Sequence, residues 1–160
     1  MASELPGWLK ISTVWLLVGG GLFLAVQVWQ AEAGRSRFEF DGQAVELRRS
    51  PDGHFHWPGR VNGIEVDFLV DTGATGTVLP LALARRAGLQ PDGKMRSTTA
   101  GGVVEGWTAR AELSLDGGPR IERLRVGVLP ELATPLLGMD VLSRLHFSQR
   151  GEVLRLEPAR

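Results

Sequence analysis

The amino-acid sequence predicts an all-β domain with one or two short helices, preceded by a single N-terminal transmembrane helix. Beyond residue 37, turn-forming residues recur about every ten residues, a spacing typical of β-sheet proteins. Of the 160 residues, 21 are glycine and 9 are proline, which suits short strands joined by tight turns. Residues 11–28 carry no charge and are numerous enough to cross a bilayer as a helix.

The N-terminal apolar segment is interpreted as a membrane anchor at residues 11–29, following a tail at residues 1–10. Tryptophan favours the membrane–water interface, and three tryptophans lie at or near the ends of the segment: Trp8, Trp15 and Trp29. A cleaved signal peptide is the alternative, because Ala31-Glu32-Ala33 resembles a signal-peptidase site, although the apolar run is longer than usual for one. Residues 30–44 are expected to form a juxtamembrane linker and the first strand, before a folded domain at residues 45–157.

Within the domain, Asn62-Gly63 lies between two alternating segments and is the strongest short-range signal of a β-hairpin. Short helices are predicted at residues 81–87 and 139–145. Asp140 is expected at the start of the second helix, where a carboxylate favours the helix dipole. The predicted strands are residues 38–40, 45–47, 54–57, 64–70, 78–79, 94–99, 103–115, 121–128 and 153–156.

The overall composition limits the classes of function. The formal net charge is zero and no basic stripe is present, so nucleic acid is not expected as a partner. Cysteine is absent, which excludes disulfides and thiolate metal sites. After the anchor there is room for one compact domain of ordinary size, and a second catalytic lobe does not fit.

Residues 68–75 contain the leading candidate for chemistry, because an apolar run ends abruptly in Asp71, Thr72 and Gly73. Removing an ionised carboxylate from water is costly unless it is hydrogen-bonded, so Asp71 needs nearby donors. Thr72 supplies a hydroxyl, and Gly73 permits a sharp turn that brings its N–H close. An ordinary Asx turn after a strand is the alternative, since all three residue types favour turns.

Four segments together resemble, in order and spacing, the bacterial membrane-anchored branch of the retropepsin-like aspartic proteases: Gly53-His54-Phe55, Val61-Asn62-Gly63, residues 68–75, and Leu136-Leu137-Gly138-Met139. The resemblance covers residues 45–157 and implies a closed β-barrel lobe with aspartic endopeptidase activity. It also implies that Asp71 is catalytic, and that Thr72, Gly73 and Ala74 support the active site.

The same resemblance implies roles for three further parts of the chain. Thr72 would brace the active site across a dimer interface, and Leu136-Leu137-Gly138 would pack beneath the aspartate. Ala100-Gly101-Gly102 would form a flap over the substrate, although a plain hairpin turn explains these small residues equally well. The domain would lie on the periplasmic or extracytoplasmic side of the inner membrane, a placement that the positive charges flanking the span do not decide.

Two positions differ from the pattern of the viral retropepsins. Those enzymes carry an acidic residue and an arginine that pair, at the positions held here by Thr75 and Met139. Both halves of the ion pair are absent together, which favours apolar packing in their place, because losing one half alone would leave a buried charge unpaired.

The implied chemistry requires two aspartates that share one proton, and this chain has one suitable motif. A homodimer formed through the active-site face would supply both aspartates around an extended polypeptide substrate, with no metal or organic cofactor. A non-proteolytic binding or dimerisation module with the same fold is the alternative, since fold does not fix function. A metal site at His54 and His56 is a weaker hypothesis, because the sequence shows no obvious acidic or cysteine partner.

Overall fold

A computed structural model describes residues 7–33, 37–39, 44–99 and 102–159. The chain divides into two units, one containing the N-terminal helix and one containing the β-rich part from residue 36 onward.

The described part of the N-terminal unit is a helix, α1 (Gly7–Ala33). Its segment Ile11–Gln30 has a mean hydropathy of 1.9 and the length needed to cross a membrane. A helix that is apolar on every face is unfavourable in water, so this segment has the properties of a membrane span or of a signal sequence.

The described β-rich unit contains eleven strands and two short helices. Its strands are β1 (Arg37–Glu39), β2 (Val45–Arg48), β3 (His56–Val61), β4 (Ile64–Val70), β5 (Val78–Pro80), β6 (Gly93–Thr99), β7 (Gly102–Leu115), β8 (Arg120–Leu129), β9 (Leu136–Leu137), β10 (Leu145–Arg150) and β11 (Val153–Pro158). Its helices are α2 (Leu81–Arg86) and α3 (Met139–Leu142).

Six of these strands close into a barrel. The strands β8, β5, β9, β4, β3 and β7 pair in that order, and β7 returns to pair with β8. β6 pairs with β7 and extends the sheet as an antiparallel ribbon, while β10, β11 and β2 form a second, three-stranded sheet. The prediction of an all-β closed barrel with short helices is therefore confirmed.

The hairpin predicted at Asn62-Gly63 joins β3 to β4. Asn62 and Gly63 have φ values of 48° and 81°, and Val61 pairs with Ile64 across the two-residue turn. Positive φ at both central positions is the conformation that a tight hairpin turn requires. This register buries Trp57 opposite Phe68, both with no exposed surface, and directs β4 towards Asp71.

Two predicted elements were wrong in part. The helix predicted at residues 139–145 ends at Leu142, and Leu145 begins β10, which pairs with β11 across a turn at Gly151. Pairing along a whole strand outweighed local helix propensity here. The strand predicted from His54 begins at His56, because His54 lies in a turn. Phe40 and the turn at residues 41–42 lie outside the described residues.

Candidate active site

Backbone hydrogen bonds on both sides of β4 fix the position of Asp71. Asp71 follows β4 directly, and its N–H donates to the carbonyl of Leu137 at 3.0 Å. On the other side, the N–H of Val70 donates to the carbonyl of Phe55 at 2.9 Å. Backbone hydrogen bonds to the neighbouring segments, and not contacts of its side chain, therefore fix the main-chain position of Asp71.

The carboxylate of Asp71 is oriented by the loop that follows, residues 71–77, which we term the aspartate loop. The N–H of Gly73 donates to Asp71 Oδ1 at 2.8 Å, and the N–H of Ala74 donates to the Asp71 carbonyl at 3.2 Å. Asp71 is half-buried, while Thr72 and Gly73 are exposed in the single chain. The expectation of an acid out of bulk solvent is thus met only in part in the single chain.

The predicted residues Leu136, Leu137 and Gly138 lie directly beside the aspartate loop. β9 is inserted between β4, to which it runs parallel, and β5, to which it runs antiparallel. Leu137 has no exposed surface. Gly138 approaches Gly76 so closely that a Cβ at position 138 would overlap the Gly76 carbonyl, which explains why a glycine is needed here.

Sequence reasoning missed the residues that hold the far end of the aspartate loop. Asp140 Oδ1 accepts a hydrogen bond from the Thr77 hydroxyl at 2.8 Å, and Asp140 Oδ2 accepts one from the Thr77 N–H at 3.0 Å. Asp140 Oδ1 also accepts from the N–H of Val141 at 3.0 Å, within the first turn of α3. Thr77 is only 1% exposed, and its hydroxyl oxygen accepts a further bond from the Gly138 N–H at 3.3 Å. The carboxylate of Asp140 therefore ties α3 to the loop.

At the two positions that differ from viral retropepsins, the structure shows contacts without charge. The N–H of Met139 donates to the Ala74 carbonyl at 2.9 Å, and the Met139 side chain packs against the apolar core. Thr75 is exposed. The sequence lacks the ion pair of the viral enzymes at these positions. In its place, a backbone hydrogen bond connects the aspartate loop to α3, and the Met139 side chain packs against the core.

A cleft of about 560 Å³ opens beside the aspartate loop. Gly73 to Val78 line one side, and Met95 to Thr98 of β6 line another. Of the predicted flap residues, Gly102 begins β7 with φ of 114° and pairs with Thr99, whereas Ala100 and Gly101 lie outside the described residues. The β6–β7 ribbon therefore forms one wall of the cleft that the aspartate loop floors.

His56, proposed from sequence as a weak metal ligand, has acidic neighbours that the sequence analysis overlooked. Its Nε2 lies 2.8 Å from Asp52 Oδ2, and its Nδ1 lies 3.2 Å from Asp67 Oδ2. The backbone N–H of His54 and then the His56 side chain hold the pKa of Asp52 below its ordinary value. Within the described part of the chain, no group of three or more histidine and acidic residues could hold a metal ion.

A closed six-stranded barrel that carries an Asp-Thr-Gly loop beside a cleft defines a retropepsin-like lobe. Residues 57–141 match the family model described as aspartyl protease, which is more than half of the chain. This chain belongs to the aspartyl protease family.

Three relatives are similar to this chain. A retropepsin-like aspartic protease from Rickettsia conorii has a TM-score of 0.58 and 24% identity, covering 75% of this chain and 94% of that one, which shows the fold. EIAV protease, solved with the inhibitor HBY-793, has a TM-score of 0.48 and 25% identity, covering 59% and 89%. An uncharacterised protein of Rickettsia prowazekii is 29% identical over 120 residues, 72% of this chain and 48% of that protein. The chain thus spans about half the length of this curated relative.

We expect Asp140→Asn to lower the free energy of unfolding by about 1–3 kcal/mol, because an amide must turn its NH2 group towards a Thr77 donor. Chemical denaturation of the full chain in mild detergent measures the change. Asp116→Asn is the matched control, since Asp116 is exposed, and it should change stability by less than about 0.5 kcal/mol. Equal effects of the two substitutions would contradict a bracing role for Asp140.

Proposed function

We propose that this chain is an aspartic endopeptidase that acts as a homodimer, with Asp71 of each subunit contributing one carboxylate. The observation that supports this proposal is the placement of Asp71, whose Oδ1 accepts a hydrogen bond from the Gly73 N–H at 2.8 Å, in a loop that lines a cleft bounded by β6 from Gly73 onward. Hydrolysis by carboxylates alone needs two of them, and a twofold axis would bring a second copy of the same loop opposite the first.

The two carboxylates would have different roles in peptide hydrolysis, one as a general base and the other as a hydrogen-bond donor. Because two carboxylates in close contact cannot both stay ionised, the pair would share one proton. The ionised aspartate would remove a proton from water, whose oxygen attacks the peptide carbonyl, while the protonated aspartate donates a hydrogen bond to the carbonyl oxygen. Transfer of a proton to the amide nitrogen would then break the carbon–nitrogen bond and release the amine.

The surroundings of Asp71 suit this arrangement. Thr72 is exposed next to the aspartate, where its hydroxyl could bond across the axis, and the exposed side of Asp71 would be covered by the partner subunit. The substrate would lie as an extended polypeptide between the aspartate loop and the β6–β7 ribbon. Ala100, Gly101 and Gly102 would form the flap at the end of this ribbon.

We expect Asp71→Asn to reduce peptide cleavage by at least about a hundredfold, because the substituted side chain can no longer act as a general acid or base. The measurement is cleavage of a diverse peptide mixture by the full chain from about pH 4 to pH 7. Asp67→Asn is the matched control, since it changes an exposed carboxylate on β4, four residues before Asp71. Equal cleavage by wild type and Asp71→Asn would remove Asp71 from the mechanism, and no cleavage by either would favour a binding module.

If the two aspartates act together, a dimer with only one intact Asp71 should not cleave peptides. Wild-type and Asp71→Asn chains carrying different tags are co-expressed, and heterodimers are isolated by both tags in succession. We expect these heterodimers to be inactive, whereas heterodimers of wild type with Asp67→Asn should cleave peptides normally. Full activity of the Asp71→Asn heterodimer, or failure of any heterodimer to form, would contradict catalysis across a twofold axis.

The apolar helix supports a membrane-bound location for this activity. We place the anchor at residues 11–29, the linker and first strand at 30–44, and the protease domain at 45–157, on the periplasmic or extracytoplasmic side. Residues Ile11–Gln30 have the hydropathy and length of a span. Confinement to a membrane would also raise the local concentration of subunits and assist dimerisation.

In cells expressing the chain with an N-terminal epitope, the full-length protein should stay in the membrane after alkaline extraction. Protease added to spheroplasts should digest the β-rich domain. Recovery of a soluble form that lacks the epitope would instead identify residues up to 33 as a cleaved signal sequence. Protection of the domain from added protease would place it in the cytoplasm.

A further inference from the structure

The cleft beside the aspartate loop has an unequal distribution of charge. Among the described residues that line it, Arg96 and Arg125 are the charged side chains, and none is acidic. The remaining polar lining consists of hydroxyl groups, including those of Thr75 and Ser97. A polypeptide in this cleft would therefore meet positive charge with no carboxylate in the wall to compensate it.

Arg125 is held in place by a buried threonine. Its Nη2 donates to Thr108 Oγ1 at 3.3 Å, and the Thr108 hydroxyl in turn donates to Asp92 Oδ1 at 2.7 Å. Arg125 itself is exposed, but Thr108 is only 9% exposed, so this contact limits the positions open to the guanidinium group. A charge fixed in this way is better suited to recognition than a freely rotating surface arginine.

No carboxylate in the described residues forms an ion pair with Arg125. Asp92, which accepts the Thr108 hydrogen bond, is paired instead with Arg110, whose Nε lies 3.7 Å from its other oxygen. The guanidinium group of Arg125 therefore has donors available for an incoming acceptor.

Arg96 plays a secondary part in the charge of the cleft. Its Nε lies 3.8 Å from Glu105 Oε1, and the two side chains are 75% and 81% exposed. Ion pairs between such exposed groups are weak and are screened by salt. Arg96 can add to the positive potential of the cleft. Unlike Arg125, however, which bonds to the buried Thr108, it has an acidic neighbour.

We propose that this cleft is a substrate subsite that selects acidic side chains of a polypeptide, with Arg125 as the residue that determines the preference. The proposal rests on the peptidase function proposed above. A guanidinium group matches the two oxygens of a carboxylate, and the bound substrate would exclude part of the water that weakens such a pair. A basic side chain would place two like charges together, which disfavours it. The twofold axis would give two such subsites.

The test uses sets of peptides that differ by glutamate, glutamine or lysine at a single position, cleaved by the full chain in mild detergent. At one or more positions, we expect wild type to prefer glutamate over lysine by about tenfold in kcat/KM, mainly through KM, with the preference falling as salt rises. Arg125→Glu should reverse the preference, and Arg125→Lys should keep its direction but weaken it, because an ammonium group cannot match both carboxylate oxygens. Arg123→Glu makes the same charge change on β8 but lines a different surface, so it should leave the ratio unchanged.

Failure of this proposal and failure of the peptidase function give different results. Cleavage by wild type with no preference for acid, or a preference that Arg125→Glu does not alter, would overturn the acidic subsite and leave the peptidase standing. If no peptide is cleaved, binding of the same fluorescent peptides is compared by anisotropy. Tighter binding of glutamate peptides that reverses with Arg125→Glu would then support the subsite, and equal binding would overturn it.

Discussion

The insertion of two residues, Leu136 and Leu137, between β4 and β5 is the constraint on which the rest of the site depends. The Leu69 N–H donates to the Pro135 carbonyl at 2.9 Å, and the Asp71 N–H donates to the Leu137 carbonyl at 3.0 Å. Immediately afterwards, the Met139 N–H donates to the Ala74 carbonyl at 2.9 Å. One short segment therefore holds both the start and the middle of the aspartate loop through the backbone, so these bonds do not use the Asp71 side chain.

Gly138 and Asp140 make the further contacts that hold the aspartate loop. Gly138 permits the close approach to Gly76, and Asp140 binds the buried Thr77 by two hydrogen bonds. These contacts satisfy buried polar groups that would otherwise cost stability. Residues on the outer walls of the cleft, such as Arg125, do not belong to this framework. The backbone bonds that position Asp71 therefore do not depend on the identity of these residues.

Local signals allowed much of the fold to be predicted. The Asn62-Gly63 turn specified a hairpin, and its register placed Asp71 at the end of β4. Other features depend on contacts between distant residues and leave little local signal. β9 is two residues long, too short for any periodicity, and Asp140 meets Thr77 across 63 positions of the chain. Leu145 was predicted as the end of a helix, but it begins β10, because pairing with β11 outweighs the local helix propensity.

We propose that Asp71 faces its own symmetry mate in an assembly that supplies both carboxylates. A crystal structure of the assembled protein measures this directly as the distance between the nearest Asp71 carboxylate oxygens of the two subunits. We expect a separation of about 3 Å, at which the two groups share a proton. A dimer in which these oxygens lie too far apart for a hydrogen bond, or point into bulk water, would contradict the claim.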